Sequence, residues 1–197
     1  GDLLGADQSG FINNIGFETY QKILNEAIEE LKKEKFEELF KNKKLNFYIR
    51  DCQLDTDLEI VIPEKYVTNI SERLNLYKEL NTLKKEEEIN EFINRLIDRF
   101  GPIPKSIYNL FNAIRLKWIA KEIGFERIIL KNNKMQVHLP EEGNSLYYNS
   151  KIFQKILKYL KSNFQNCEMI EKKGKLFIKI QNVKSIEESL IICQEII

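Results

Sequence analysis

The strongest hydrophobic pattern in the chain lies between Leu58 and Pro104. The apolar run LEIVI, which Pro63 ends, predicts a short strand, and two amphipathic helices joined near Thr82 are predicted to follow it. The apolar positions of the first helix are Ile70, Leu74, Tyr77 and Leu80. Those of the second helix are Ile89, Phe92, Ile93, Leu96, Ile97 and Phe100. Because polar residues fill the other positions, each helix is expected to bury one face.

The ends of these two helices carry residues with known capping preferences. Asn69, followed three residues later by Glu72, predicts a capping box at the start of the first helix. Gly101, followed by Pro102, predicts that the second helix ends there in a left-handed turn. This stretch contains no chemically reactive group, so it is interpreted as a scaffold.

The motif Asp98-Arg99-Phe100-Gly101 is distinctive enough to suggest catalysis, but each of its residues has a structural explanation. Phe100 completes the apolar stripe, Arg99 places a cation at the negative end of the helix, and Gly101 supplies the cap. Asp98 is expected to pair with Arg95 or with a neighbouring segment. We therefore interpret the motif as structural.

Further elements are predicted on both sides of this region. Apolar residues repeat at helical spacing from 17 to about 41, which predicts one long helix or two nearly coaxial ones. Residues 45–49, LNFYI, are rich in β-forming residues. Pro104 suits the first turn of a third helix. Its apolar stripe consists of Ile107, Leu110, Phe111, Ile114 and Trp118.

The last third of the chain predicts hairpins that alternate with helices. Asn-Asn at 132–133 and Lys-Gly at 173–174 each separate two short β-rich runs, which predicts two hairpins. A helix over 150–163 is predicted between them, and Ser185 with Glu188 predicts a capping box for a last helix. The predicted fold class is α+β: a long N-terminal helix, then a mixed domain whose helices pack on a small antiparallel sheet built from the two hairpins.

Composition limits the classes of function. Apolar residues are 43% of the 197 positions and charged residues 31%, values typical of a soluble domain with a real core. The 31 Lys and Arg nearly balance the 30 Asp and Glu, so the basic excess of a dedicated nucleic-acid-binding domain is missing. No apolar run approaches the ~20 residues of a membrane span, and the N-terminus does not have the pattern of a signal peptide.

The potential metal ligands are few and scattered. Cys52, Cys167 and Cys193 are odd in number and far apart, which is typical of reduced thiols and predicts a cytoplasmic location. His138 is the only histidine, and it alternates out of phase with the apolar residues of its strand, so a structural role is expected. A structural zinc site needs four clustered Cys or His ligands, so no metal site is predicted.

Two other patterns suggest chemistry but have simpler explanations. The Gly-Lys pair at 174–175 has no second glycine before it, so a hairpin turn is favoured over a phosphate-binding loop. An acidic cluster consists of Asp51, Asp55, Asp57 and Glu59. It could form a divalent-metal or nuclease site, but the glycine of a calcium loop is missing, so a solvated loop and strand edge is favoured.

Two stretches carry a family resemblance. The segments IPEKYV, RLNLYKEL and LIDRFGPIP resemble the C-terminal domain of the bacterial transcription-repair coupling factor family, whose members are RecG-like DNA translocases. The start of the chain, GDLLGADQSGFINNIGFETYQKIL, is similar to the segment that closes the motor of the same family. The positions that form the structural signature of the resemblance are Pro63, Tyr66, Arg73, Leu74, Tyr77, Asp98, Arg99, Phe100, Gly101 and Pro104.

The resemblance implies that residues 1–41 are the tail of a translocase motor with a linker helix, and that 42–197 are a regulatory domain. It implies that the parent protein uses ATP and Mg to move on duplex DNA, displaces stalled RNA polymerase and recruits excision repair through UvrA. The regulatory domain would fold back on a UvrB-like module and hide its UvrA-binding surface. This chain itself would hold no cofactor and no catalytic residue, and no membrane contact is implied.

Gln8, Ser9 and Gly10 are the positions where a functional role carries over from the resemblance. In RecG-like motors the glutamine of this loop belongs to a motif that couples ATP-driven closure to movement along DNA. The arginine-bearing half of that motif would lie upstream of Gly1, so this chain would not perform the step alone. Without the resemblance, the three residues would be interpreted as an ordinary polar loop.

A second hypothesis comes from a different class of function. The chain could be an accessory nucleic-acid-binding module that uses lysine-rich faces formed by Lys32, Lys33, Lys35, Lys41, Lys43 and Lys44. The interspersed carboxylates of Glu34, Glu37 and Glu38 weaken this hypothesis, because they reduce the positive potential. A third hypothesis, an independent enzyme, has no supporting set of residues.

Overall fold

Five strands and six helices make up the part of the chain that the computed structural model describes, residues 48–141 and 144–197. The strands are β1 (Gln53–Thr56), β2 (Arg127–Lys131), β3 (Lys134–His138), β4 (Cys167–Lys172) and β5 (Lys175–Gln181). The helices are α1 (Ile70–Leu80), α2 (Glu86–Phe100), α3 (Lys105–Ile123), α4 (Ser145–Tyr148), α5 (Lys151–Ser162) and α6 (Ile186–Ile196). The predicted helix over 17–41 lies outside these residues.

The strands form one sheet in the order β1-β2-β3-β5-β4. The predicted hairpins are confirmed as β2–β3 and β4–β5, and the turn residues at 132–133 and 173–174 have positive φ angles. The prediction of a purely antiparallel sheet is wrong, because β1 adds a fifth strand that runs parallel to β2. A parallel pair needs a long crossover connection, which the three helices α1, α2 and α3 provide.

The first strand was predicted in the wrong place. Residues 58–62 are not in a strand, and β1 lies in the more polar run before them. Side chains satisfy backbone N–H groups of this run: the Thr56 hydroxyl oxygen accepts from Leu58 N, and the Tyr77 hydroxyl oxygen accepts from Ile62 N. With those donors bound to side chains, the apolar run enters the core as irregular backbone instead of as a strand.

The larger of two hydrophobic cores lies between the sheet and the helices α3, α5 and α6. Alternate residues of the central strands face these helices. Those sheet residues are Ile128, Leu130, Met135, Val137, Ile178 and Ile180, all of them buried. The helices contribute a matching set, Leu116, Ala120, Ile123, Ile156, Ile186, Cys193 and Ile196. Helix α6 packs along α3, which closes this layer.

The smaller core holds α1 and α2 against the first half of α3. It consists of Ile62, Val67, Leu76, Leu80, Ile89, Phe92, Leu96, Ile107 and Phe111. At its edge, the Arg115 guanidinium of α3 binds both carboxylate oxygens of Glu86 on α2, with 2.8 Å between Nε and Oε2. This hydrogen bond is the main reason that the pKa of Glu86 is lowered.

Helix α3 belongs to both cores because it carries two apolar stripes. The predicted stripe of Ile107, Leu110, Phe111, Ile114 and Trp118 faces the smaller core. A second stripe, which was not predicted, faces the larger core and consists of Ala113, Leu116, Ala120 and Ile123. The helix is therefore apolar on two sides, and its packing joins the two cores.

Three expectations for the helices need correction. On α1 the predicted buried face is rotated: Leu74 is 55% exposed and Ile70 64% exposed, whereas Leu76 is buried. On α2, Ile97 is 44% exposed because Leu96 occupies the core position beside it. Gly101 has the expected positive φ of 85°, but its ψ of −161° is not that of a left-handed helical residue.

Within the described ranges, Cys52, Cys167 and Cys193 are free thiols, and burial raises the pKa of Cys52 to about 12. Its thiolate fraction at neutral pH is therefore very small, which makes this sulfur unreactive.

None of the helices in the described ranges has the length and apolar character needed to cross a membrane.

Gly124 ends α3 and sets the distance between that helix and Tyr147. It adopts a left-handed conformation with φ 90°, and its N–H donates to the Ala120 carbonyl at 2.9 Å. The fully buried Tyr147 ring packs directly over it. A Cβ at this position would lie only 2.5 Å from Tyr147 Cε2.

We expect Gly124→Ala to lower the free energy of unfolding by about 2–4 kcal/mol, because it adds a steric clash to the strain of the left-handed backbone. Gly174→Ala is the matched control: Gly174 has φ 69°, and a Cβ there would meet no atom within 4 Å. It should cost only the backbone strain, about 1–2 kcal/mol. Urea denaturation of both variants measures the difference, and equal losses would contradict the packing described for Tyr147.

Candidate functional site

Most of the signature residues meet around the connecting segment (57–69), which leads from β1 to α1. The Tyr77 hydroxyl accepts a hydrogen bond from the buried Ile62 N–H at 2.7 Å. The Pro63 carbonyl accepts from Tyr66 N at 3.0 Å, which forms a turn. The Tyr66 hydroxyl then donates to the Gly101 carbonyl at 2.8 Å, so the connecting segment is fixed to the end of α2.

The start of α1 is fixed by a second set of contacts. Arg73 donates from a terminal guanidinium nitrogen to the Val67 carbonyl at 2.7 Å. The Asn69 side chain accepts from Glu72 N at 3.0 Å, which confirms Asn69 as the predicted N-cap. Pro104 occupies the corresponding N-cap position of α3. Three of the signature side chains, those of Tyr66, Arg73 and Tyr77, therefore hold backbone groups in place.

Phe100 and Arg99 pack at the end of α2. The Phe100 ring is half-buried and lies 5.7 Å from the Tyr66 ring, measured between centroids. The Arg99 guanidinium carbon lies 5.0 Å from the centroid of the Phe100 ring. The helical periodicity predicted a fully buried Phe100. Because the ring is only half-buried, truncating it to alanine removes less buried apolar area than that prediction implied.

Two ion pairs join α1 to α2. Arg99 pairs with Glu72, and Arg95 pairs with Glu79. Asp98, expected as a partner of Arg95, is exposed, and Arg95 binds Glu79 instead. Both arginine side chains are more than half exposed and both carboxylates are partly exposed, so each pair contributes about 0–1 kcal/mol and weakens as salt rises.

An open groove of about 350 Å³ lies between the two helices. Its lining residues are Asn69, Glu72, Asn75, Leu76, Glu79 and Arg99. The Glu72 and Glu79 carboxylates are already paired with arginines, and the groove contains no cysteine, histidine or serine that could act as a nucleophile or base. The groove therefore presents amide and charged groups, which are suited to recognition of polar groups.

The opposite flank of α1 exposes the apolar pair (Ile70 and Leu74). The two residues are one helical turn apart, so their side chains are neighbours on the helix surface. They are 64% and 55% exposed. Large aliphatic side chains exposed side by side are typical of a surface that another protein covers.

The acidic residues that could have formed a metal site each bind a different structural partner. Asp51 pairs with Lys117 at 3.1 Å, Asp55 accepts from Arg127 Nε at 2.5 Å, and the Asp57 carboxylate accepts from Asn132 N at 2.9 Å. Glu59 contributes its backbone carbonyl to the Asn109 side chain at 3.1 Å. In the described ranges no three Cys, His, Asp or Glu side chains are grouped as metal ligands would be.

His138 lies on the face of the sheet that points away from the helices. Its ring contacts the Phe177 ring edge to face, with 4.6 Å between centroids, and its Nε2 lies 3.0 Å from the Gln136 side-chain nitrogen. Burial lowers the pKa of His138, and the charges of Arg127 and Lys175 lower it further. The imidazole is therefore neutral at pH 7 and has a structural contact, as the alternation in its strand predicted.

One predicted site lies outside the described residues, and one pair of contacts was not predicted. Gln8, Ser9 and Gly10, the proposed coupling loop, precede the described ranges, so their role stays a prediction. Glu72 and Glu79 were missed as partners of the α2 arginines. No signal in the sequence could have found them, because the pairing depends on how α1 and α2 pack.

We expect Tyr77→Phe to lower the free energy of unfolding by about 1–3 kcal/mol, because it leaves the buried Ile62 N–H without its acceptor. Tyr108→Phe is the matched control, since the Tyr108 side chain is 48% exposed and should change the free energy by less than about 0.5 kcal/mol. Thermal unfolding followed by circular dichroism tests both. Equal stability of Tyr77→Phe and the wild-type chain would mean that water replaces the hydroxyl at no cost.

Comparison with known proteins gives a consistent set of relatives. The model of the TRCF domain matches residues 56–150. The Transcription-repair-coupling factor of Bacillus subtilis (strain 168) is 32% identical over 159 residues, which cover 78% of this chain. The protein of the same name from Buchnera aphidicola is 34% identical over 156 residues, 79% of this chain. The matched regions are only 12% and 19% of those two proteins.

A solved structure supports the same relationship at the level of the fold. The crystal structure of the C-terminal domain of a transcription-repair coupling factor aligns with this chain with a TM-score of 0.61 and 20% sequence identity. The alignment covers 74% of this chain and 91% of that one. The chain therefore belongs to the transcription-repair-coupling factor family, and its described part has the fold of the family's C-terminal domain.

Proposed function

We propose that this chain is a regulatory and interaction domain that masks the UvrA-binding, UvrB-like module of its own parent protein. The observation that carries the proposal is the apolar pair on α1, since Ile70 and Leu74 are more than half exposed. Burying a Leu or Ile side chain fully contributes about 1.5–3 kcal/mol. The pair thus supplies a driving force for docking that the fold itself does not use.

The setting of the apolar pair suits a reversible contact. Interfaces commonly place apolar side chains at the centre and charged ones at the rim. On the flank of α1 that carries the pair, the exposed Lys78 lies one helical turn after Leu74. A contact built from two aliphatic anchors with a charged neighbour would be of modest affinity, which a switch that must open requires.

Tethering within one protein makes such a modest contact sufficient. Domains that belong to one chain meet at an effective concentration of about a millimolar. With an intrinsic dissociation constant of ~10 μM, the closed form would outnumber the open form by roughly 100 to 1. A conformational change that costs ~3 kcal/mol would then release the hidden surface.

The parent protein would supply the chemistry. We propose that its motor uses ATP and Mg to move along duplex DNA and to displace stalled RNA polymerase, and that it recruits excision repair through UvrA in the cytoplasm. In that setting the Gln8 loop would belong to the motor, and the described residues would contribute regulation and no catalytic group.

The test uses the full-length parent protein with Ile70→Ser and Leu74→Ser combined. We expect its affinity for UvrA to rise by about 10- to 100-fold, because the closed form loses its apolar anchors. Biolayer interferometry with immobilised UvrA measures the affinity, and circular dichroism of the isolated variant chain checks that it remains folded. Since both side chains are exposed, the substitutions should leave its stability nearly unchanged.

Phe164→Ser is the matched control, because Phe164 is 72% exposed and lies between α5 and β4, away from α1. It should leave the affinity for UvrA unchanged. An unchanged affinity in the Ile70 and Leu74 variant would contradict masking through α1. An equal rise in the control would mean that general surface polarity, and not this pair, controls access to UvrA.

A further inference from the structure

The sheet has one face covered by helices and one face that no described helix covers. Strand residues alternate between the two faces. Phe177 and Ile170 are cross-strand partners, and Phe177 is also paired with His138 on β3. These residues and Ile129 are half-buried, yet they are not among those that pack against the larger core. We call this side of the sheet, the one that carries Ile129, His138, Ile170 and Phe177, the outer face.

The outer face combines an aromatic and aliphatic stripe with six basic side chains. Two of its cations are paired, Arg127 with Asp55 and Lys175 with Glu141. Four further lysines lie on it: Lys131, Lys134, Lys172 and Lys179. Within the described ranges these four form no ion pair at 4.0 Å or less. Three further carboxylates lie near these cations: Glu168 is the cross-strand partner of Lys179, Asp57 accepts from Asn132 N at the β2–β3 turn, and Glu126 interacts with Lys175.

The cations lie at both ends of the stripe. Lys131 and Lys134 flank the β2–β3 turn, and Lys172 flanks the β4–β5 turn at the other end of the sheet. Lys134 is opposite Gln181, which is the last residue of β5, and Lys175 is the first. These two ends of the stripe are six positions apart along β5, so the stripe is roughly 20 Å long at about 3.3 Å per residue. A ligand that follows the stripe would meet positive charge at its ends and an aromatic ring between them.

We propose that the outer face binds single-stranded DNA, with phosphates at the lysines of the two turns and an unpaired base against Phe177. A polyanion is the complement of the charge, and an aromatic ring beside basic residues is the usual platform for unpaired bases. This proposal goes beyond the masking function and does not depend on it. It also uses a surface different from the lysine-rich faces at 32–44.

The chemistry of the outer face favours single-stranded DNA over three other ligands. Paired bases of a duplex are not available to stack on a ring. An acidic peptide would match the lysines but would make no use of Phe177. RNA would add 2′-hydroxyl groups, but the polar side chains nearby are occupied, since Gln136 is within hydrogen-bond distance of His138 and Arg127 binds Asp55.

The experiment measures binding of the full 197-residue chain to a fluorescein-labelled oligothymidylate of about 15 nucleotides by fluorescence anisotropy at low salt. We expect the double variant Lys131→Gln, Lys134→Gln to bind about tenfold more weakly, and the slope of log affinity against log salt to fall in magnitude by about 1.4, for two phosphates. Phe177→Leu, which keeps an apolar side chain, should also weaken binding about tenfold.

Lys158→Gln combined with Lys161→Gln is the matched control, because it removes the same charge from positions on α5. It should leave binding nearly unchanged, and thermal unfolding checks that every variant is folded. No binding by the wild-type chain, or losses as large in the α5 control, would overturn the proposal. So would equal or tighter binding of oligouridylate, duplex DNA or polyglutamate, which would assign the outer face to a different ligand.

Discussion

The packing of α3 between two hydrophobic cores is the constraint on which the rest of the structure depends. One stripe of this helix, centred on Phe111, closes the smaller core with α1 and α2, and the other, centred on Leu116, closes the larger core with the sheet. Both residues are fully buried. Moving α3 would therefore expose apolar surface on two sides at once, which makes its position hard to change.

This arrangement explains how the described part of the chain can present defined surfaces. The apolar pair belongs to α1, whose position is fixed by the smaller core and by the hydroxyls of Tyr66 and Tyr77. The outer face belongs to the sheet, which the larger core fixes. Helix α3 takes part in both cores. The packing that positions the apolar pair and the packing that positions the outer face therefore both depend on this helix.

The sequence predicted the elements whose signal is local and missed features that depend on tertiary packing. The hairpins at 132–133 and 173–174 and the cap at Asn69 were predicted correctly, because turn and cap preferences are local. The second stripe of α3 was missed, since its two alanines give little apolar signal. Strand β1 was missed because polar residues surround Leu54, and only pairing with β2 makes the run a strand.

The candidate surfaces were less predictable than the fold for the same reason. Periodicity placed Leu74 in a buried face, but the actual orientation of α1 is set by Leu76 and by the connecting segment, so the apolar pair is visible only in the structure. The alternation in KLFIKIQ predicted a strand with two different faces. It could not indicate which of them helices would cover.

Native-state hydrogen exchange of the chain with Phe111→Leu tests the coupling of the two cores most directly. We expect the slowest amides of α1 and α2 and those of β2 and β3 to lose protection by the same factor, about tenfold for roughly 1.4 kcal/mol, because α3 makes both cores unfold together. Loss of protection confined to α1 and α2, with the sheet unchanged, would contradict the account, since the two cores would then be independent.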